Sequence, residues 1–274
     1  MANIRSLSTA EMTLPVEWAA REGWNPGLDD VPAFLAEDPG AFLVLEEAGV
    51  ARSCISAVRY GAEMGFIGFY IADPAIRGRG LGFALWQAAM ARLEGRVIGL
   101  DGVVAQQENY RKSGFALAWN NARYTVARAP RWPVPQGVVP AAAVDFGALV
   151  ALDAACFGTP RPAFLRAWIE TPGHVAVALP GGAGLAALRP CREGHKIGPL
   201  LAPDAAGARL LFQGLAAQAP GPLTLDVPED HAPAVALARE AGMEKVFETA
   251  RMYAGPAPAI DRARLFGVAS FELG

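Results

Sequence analysis

Histidine and cysteine are scarce in this chain of 274 residues: three of each, at His174, His195 and His231 and at Cys54, Cys156 and Cys191. An odd number of cysteines, with neither C-x-x-C nor metal-finger spacing, suggests neither a disulfide framework nor a zinc site; buried, inert thiols and no metal are expected. All three histidines fall in the second half. No Cys-His or Ser-His-Asp arrangement therefore stands near the glycine-rich segment described below, and a protein nucleophile is not expected. An excess of one charge is also lacking, since 24 Lys+Arg against 27 Asp+Glu leave a formal net charge of -3, and nucleic acid is not an expected partner. No apolar stretch has signal or membrane-spanning length, and the most apolar window, 175–188, is broken by Pro180-Gly181-Gly182. The expectation is a cytoplasmic protein with no membrane partner. Apolar residues make up 53% of the chain and charged residues 19%, enough for one large or two modest cores.

Residues 71–82 read Ile-Ala-Asp-Pro-Ala-Ile-Arg-Gly-Arg-Gly-Leu-Gly, an apolar run that ends in a basic, glycine-dense turn before a helix. Helix N-termini leave backbone N–H groups unpaired and carry a partial positive charge; Gly78, Gly80 and Gly82 let backbone approach an anion, and Arg77 and Arg79 add charge. A dinucleotide motif G-x-G-x-x-G fails because Phe83 stands three residues after Gly80, and G-x-x-x-x-G-K-[ST] occurs nowhere. What remains is R-x-x-G-x-G, entered through Asp73-Pro74. About thirty residues later comes Tyr110-Arg111-Lys112-Ser113-Gly114-Phe115. The two segments, in this order, resemble the pyrophosphate loop and the Y-x-K-x-G-F segment of the GNAT superfamily of acetyl-CoA-dependent N-acyltransferases. The bland alternative is a glycine-rich turn between a strand and a helix.

Four prolines in residues 129–140 mark a boundary, because proline neither continues a helix nor sits in a central strand. The halves 1–130 and 138–274 echo each other. Ile67-Gly68 with Ala72 matches Ile197-Gly198 with Ala202, Leu100-Asp101 matches Leu225-Asp226, and Gly114 with Arg123 matches Gly242 with Arg251. This is an internal duplication. The first half reads as helices over 9–21 and 31–37, strands over 41–46, 51–60 and 65–72, a helix over 81–93 with Leu81, Leu85, Ala89 and Leu93 on one stripe, a strand over 97–103, a helix over 106–113 and a strand over 116–127. The second half repeats the order with helices over 147–156, 163–170 and 205–219 and strands over 175–179, 184–191, 196–202 and 223–227. The fold class expected is α+β, two tandem GNAT-like domains, each a mixed, mostly antiparallel sheet flanked by helices.

The resemblance implies the site. In that family the strand before the loop binds the pantetheine arm and the thioester carbonyl through its backbone, here Tyr70, Ile71 and Ala72; a fixed backbone donor stabilises the charge that develops on the carbonyl oxygen. The loop residues Arg77, Gly78, Arg79, Gly80, Leu81 and Gly82 would take the pyrophosphate of acetyl-CoA. Tyr110 matches the tyrosine that protonates the departing thiolate, or else packs a helix on the sheet. The asparagine often found seven residues before it is Val103 here, and Asn109 is a possible substitute. Glu63 and Asp101 are candidates for the base that deprotonates an acceptor amine, although Asp101, echoed by Asp226, equally suits a shared structural role. Trp24 and Asn25, in the turn 22–27, are candidates for the acceptor pocket, with Trp24 either a wall or a core plug. The second half has Ala202-Pro203-Asp204-Ala205-Ala206-Gly207 in place of the loop, and Asp204 reads as an N-cap, so one cofactor site per chain is expected. The expected activity is transfer of an acetyl group from acetyl-CoA to a primary amine, probable small-molecule acceptors being favoured; the alternative is a sensor that binds acetyl-CoA or a small amine without turnover. The acceptor and the oligomeric state stay open.

Overall fold

The computed structural model describes residues 2–133 and 135–274; Met1, and Val134 within the proline-rich boundary segment, lie outside the described residues. The first half forms β1 (Ala2–Ser6), α1 (Thr13–Arg21), α2 (Val31–Ala36), β2 (Phe42–Glu47), β3 (Val50–Tyr60), β4 (Met64–Ala72), α3 (Leu81–Arg92), β5 (Val97–Val103), α4 (Gln107–Lys112) and β6 (Phe115–Val126). The second forms β7 (Val139–Pro140), α5 (Phe146–Phe157), α6 (Pro162–Glu170), β8 (Val175–Ala178), β9 (Leu185–Pro190), β10 (His195–Leu201), α7 (Ala205–Ala216), β11 (Leu223–Pro228), α8 (Ala232–Glu240), β12 (Glu244–Ala254) and β13 (Leu265–Gly267). Most expected elements are present with shifted ends. The first helix is shorter than its pattern suggests, because residues 9–11 form a separate 3-10 turn capped by Ser8 and Glu11. The strand β1 and the elements after residue 228 are additions to the sequence reading.

All strands join one 13-stranded sheet, in the order β1-β2-β3-β4-β5-β12-β6-β11-β10-β9-β8-β7, with β13 beside β10. Only β4–β5 and β10–β11 pair in parallel, so the sheet is mixed and mostly antiparallel, as expected. Helix α3 buries Leu85, Trp86, Ala89 and the following Leu93 against one face of the first half. The other face is covered by Phe34 of α2 together with Phe164 and Trp168 of α6, so a helix from the second half completes the first core. Helices α7 and α8 cover β10 and β11 in the same way that α3 covers β4 and β5.

The halves 1–130 and 138–274 exchange their long last strands. β12 lies between β5 and β6, and β6 lies between β12 and β11. Asn121 pairs with Thr249, each two residues before its echoed arginine, so a pseudo-two-fold axis passes between them. Two buried ion pairs fasten the exchange. Arg251 of β12 donates to both carboxylate oxygens of Asp101 on β5 (2.8 and 2.6 Å), and Arg123 of β6 donates to both of Asp226 on β11 (2.7 and 2.8 Å). Removing one member of such a pair strands a charge in the core, at a cost of about 3–5 kcal/mol.

Each parallel pair is short, and beyond it the strands splay. β4 and β5 pair only from Met64 with Val97 to Ile67 with Leu100. The cause lies in β4: between Gly68, opposite Ser56, and Ile71, opposite Cys54, Phe69 and Tyr70 face the single residue Ile55. Phe69 takes φ 48°, a left-handed conformation that costs a non-glycine residue on the order of 1–3 kcal/mol, and this bulge turns β4 away from β5. In the second half β10 and β11 separate after Ile197 and Leu225, but there β13 enters the gap, pairing Leu200 with Gly267 and Leu201 with Leu265.

Candidate active site in the first splay

A cavity of about 720 Å³ runs through the first splay. Its outer end meets the turn between β4 and α3. Gly78 (φ 79°) and Gly80 (φ 77°) are left-handed, and a Cβ added at either would meet nothing within 4 Å, so open space stands over the loop. The N–H groups of Gly78, Gly80, Leu81, Gly82 and Phe83 have no backbone acceptor among the described residues. These unpaired donors at the start of a 12-residue helix are what a phosphate needs, and the residues fit the expected pyrophosphate. Gly82 has a second reason to be glycine: a Cβ there would stand 3.1 Å from the Tyr70 hydroxyl. Arg77 lines the cavity and donates to Glu22 (3.1 Å), whereas Arg79 is turned away onto Glu47 (2.6 Å). Asp73 caps the entering turn by accepting from the Ala75 N–H and from Arg52 (both 2.9 Å).

The middle of the cavity lies between Gly68–Ala72 of β4 and Leu100–Val103 of β5, with Trp86, Asn109 and Tyr110 along the α3 side. Beyond Ile67 the β5-facing edge of β4 has no strand partner; the Ile71 carbonyl is taken on the β3 side by the Ser53 hydroxyl (2.9 Å) and the Ala72 carbonyl accepts from Arg77 Nε (3.2 Å), so only the remaining backbone groups of Tyr70–Ala72 are left for an extended ligand. Tyr110 packs on Trp86 (5.6 Å between ring centroids) and over Gly102, where a Cβ would stand 2.2 Å from its ring. Burial pushes the Tyr110 hydroxyl up to about 12, so the phenol stays protonated and able to donate at physiological pH. Asn109 also lines the cavity, its amide donating to Gln106 (2.7 Å).

The inner end reaches the junction of the halves and is lined by Trp24, Asp101, Arg123, Phe247, Thr249, Phe271 and Glu272. The Trp24 carbonyl accepts from Arg123 (2.8 Å) and from the buried Lys196 (3.0 Å), whose ammonium burial pushes down to about 8. Burial opposes ionisation of Asp226, and the adjoining Arg123 prevails, leaving that carboxyl below its ordinary value.

These positions place Glu63 and Asn25 outside the cavity and Asp101 inside it. Glu63 is exposed in the β3–β4 turn, at the end of β4 away from the cavity, and does not join the site. Asn25 does not line the cavity; its side chain makes two 2.9 Å bonds to the Glu193 backbone and docks the β9–β10 turn. Asp101 does line it, but both oxygens are taken by Arg251 and one also by Asn121 (2.9 Å), so its structural role is the strand clamp. Trp24 is a wall. In the second half Asp204 accepts from the Gly207 N–H (2.8 Å) as the expected cap. The cysteines are buried and unpaired, and burial raises the thiols of Cys54, Cys156 and Cys191. Phe247, Thr249, Phe271 and Glu272 were missed by the sequence reading; the one available signal was a lone acid, Glu272, in the apolar run 265–273.

Two family profiles match the chain in tandem: Acetyltransferase (GNAT) family over residues 4–115 and Acetyltransferase (GNAT) domain over residues 149–267. The holothin acyltransferase of Pseudoalteromonas sp. (strain SANK 73390) is 30% identical over 272 residues, covering 97% of this chain and 92% of that protein. YitH, an uncharacterized N-acetyltransferase of Bacillus subtilis (strain 168), is 26% identical over 92% of this chain and 91% of its own length. Among solved structures, a protein from Pyrococcus horikoshii described as an acetyltransferase superposes with a TM-score of 0.87 at 19% identity, covering 100% of this chain and 96% of that chain. A tandem GNAT protein from the clavulanic acid biosynthesis pathway gives 0.61 at 15% identity, covering 94% of this chain and 100% of that chain. At these identities the two structures speak for the fold.

Proposed function

The chain belongs to the GNAT acetyltransferase family, as a tandem-domain N-acetyltransferase, and from that premise we propose that its first half transfers the acetyl group of acetyl-CoA to a primary amine of a small acceptor by direct attack. One observation carries the reading: the first splay opens as a single cavity from Arg77 and Phe83, which flank the loop amides, to the junction of the halves, while β13 fills the second. When bound, acetyl-CoA supplies an activated acetyl thioester. The N–H groups at 78–83 and Arg77 would hold its pyrophosphate, and the free edge of Tyr70–Ala72 would hold the arm and polarise the carbonyl oxygen. Tyr110, protonated and lining the same cavity, would deliver a proton to the departing sulfur. Trp24, Phe247 and Phe271 close the inner end with aromatic surface, which excludes water from the thioester and favours a compact acceptor over a protein chain. Among the described residues no helix is long and apolar enough to cross a membrane.

The test is thiol release from acetyl-CoA with a panel of amines, including amino acids, polyamines, aminoglycosides, arylalkylamines and holothin, the acceptor named for the Pseudoalteromonas relative. Amine-dependent release with a stoichiometric acetylated product is expected. Release that is independent of every amine, or absent with all of them, would count against the reading.

A further inference from the structure

The inner end of the cavity is built in part by residues that the first half does not itself contain. Phe247 and Thr249 arrive on the exchanged strand β12, and Phe271 and Glu272 on the segment after β13. That segment first occupies the second splay, where the Val268 N–H donates to the Asp226 carbonyl (3.0 Å). It then crosses to the first half, where the Tyr60 hydroxyl donates to the Leu273 carbonyl (2.8 Å). Gly68 of β4 permits the crossing: a Cβ there would stand 1.8 Å from the Glu272 carbonyl oxygen.

The Glu272 side chain is held but not consumed. The Ser270 hydroxyl donates to its Oε2 (2.8 Å) and accepts the N–H groups of Glu272 (3.0 Å) and Leu273 (3.2 Å). Its Oε1 has no hydrogen-bond partner among the described residues and is not sealed from solvent. The Thr249 hydroxyl, by contrast, is sealed from solvent and has no partner among the described residues. The neighbouring cations are already engaged: Arg123 with Asp226 and the Trp24 carbonyl, Lys196 with that carbonyl, and Arg189 with Asp30. A carboxylate oxygen left open beside Trp24, Phe247 and Phe271 calls for a ligand with N–H donors on a flat apolar body.

Resting on the reading under Proposed function, we infer that the segment 265–272, threaded through the second splay, delivers Glu272 to bind the acceptor's ammonium group and to take its proton. The acceptor class is an arylalkylamine. The ammonium proton passes to Glu272 Oε1, and the freed lone pair forms the N–C bond as the C–S bond breaks. Sulfur takes the Tyr110 proton, Tyr110 regains one from the new amide nitrogen, and Glu272 releases its proton to solvent. The second half thus serves the reaction by carrying the arm where a second cofactor site would otherwise be.

The experiment uses the full chain with Glu272→Gln. Calorimetry with 2-phenylethylamine on the protein without cofactor should show binding to wild type and loss of most of it in Glu272→Gln, with acetyl-CoA affinity held within about threefold. In turnover Glu272→Gln should lower kcat/KM for the amine roughly 10²–10⁴-fold, the range for lost acid–base catalysis. In Glu272→Gln the pH profile should follow only the amine's own deprotonation. An active wild type with Glu272→Gln equal to it in rate and pH profile overturns the role of Glu272, and wild type that does not bind 2-phenylethylamine overturns the ligand class. A wild type inert toward every amine is a different failure, that of the function itself.

Discussion

Gly68→Ala separates the arm from the rest of the site. The added Cβ would stand 1.8 Å from the Glu272 carbonyl oxygen, 2.7 Å from its carbonyl carbon and 3.0 Å from its Cα. All three are backbone atoms, so no rotamer change relieves the clash, and β4 is held on its other side by Ser56 of β3. Either β4 or the arm must move by more than an ångström. Overpacking of this kind costs about 1–3 kcal/mol. At roughly 2–4 °C per kcal/mol for a chain of this size, Tm should fall by about 2–12 °C. A misplacement of about 1 Å at reacting groups costs on the order of 10²-fold in rate. The prediction is therefore a hundredfold lower kcat/KM for the amine with acetyl-CoA affinity little changed, since the loop at 77–82 lies at the opposite end of the cavity. Gly49→Ala is the control, a left-handed turn glycine (φ 77°) with open space around it, which should lower Tm modestly and leave turnover alone. Thiol-release kinetics and thermal melts on the three proteins decide the matter. A folded Gly68→Ala protein with wild-type kcat/KM would refute the placement of Glu272.

Tyr110→Phe should lower kcat about 10²–10⁴-fold with little change in the acetyl-CoA KM, and near-normal kcat would return Tyr110 to packing alone. Because burial pushes its hydroxyl up to about 12, the proton is kept until pH approaches that value, so kcat should show no alkaline fall from this group below about pH 11; a fall near pH 10 that vanishes in Tyr110→Phe would contradict the shift. Arg251→Met takes from Asp101 the cation that offsets its burial, which already raises that carboxyl above its ordinary value, and should cost about 3–5 kcal/mol in denaturant melts, whereas Asp101→Asn with Arg251→Met should recover most of that stability and keep turnover within about tenfold. Loss of turnover in a folded double variant would make Asp101 a base after all.

The loop was legible because it is local: proline, three glycines and two arginines within ten residues dictate a turn whose amides face outward. Apart from β1, the strands and helices of the first half were equally legible, each from its own periodicity. The exchange of β6 and β12 was not. Asp101 and Asp226 can each be matched with Arg123 or Arg251, and since both repeats carry an Asp followed by an Arg, the pattern does not say which pairs with which; only three-dimensional packing selects the crossed pairing. Glu63 and Asn25 looked eligible by their distance along the chain, but the sheet sends one to the far end of β4 and the other to the partner half. Glu272 could not be read from spacing, because it reaches the cavity through a route more than 200 residues from β4 that depends on an absent side chain at Gly68.

The central claim, one acetyl-CoA site built on the first loop and none in the second half, is tested most directly by calorimetric titration of the full chain and of Gly80→Asp with acetyl-CoA. The prediction is one molecule bound per chain, and none in Gly80→Asp, whose carboxylate would stand in the open space over the loop amides. Two equivalent molecules per chain, or unchanged affinity in Gly80→Asp, would contradict it.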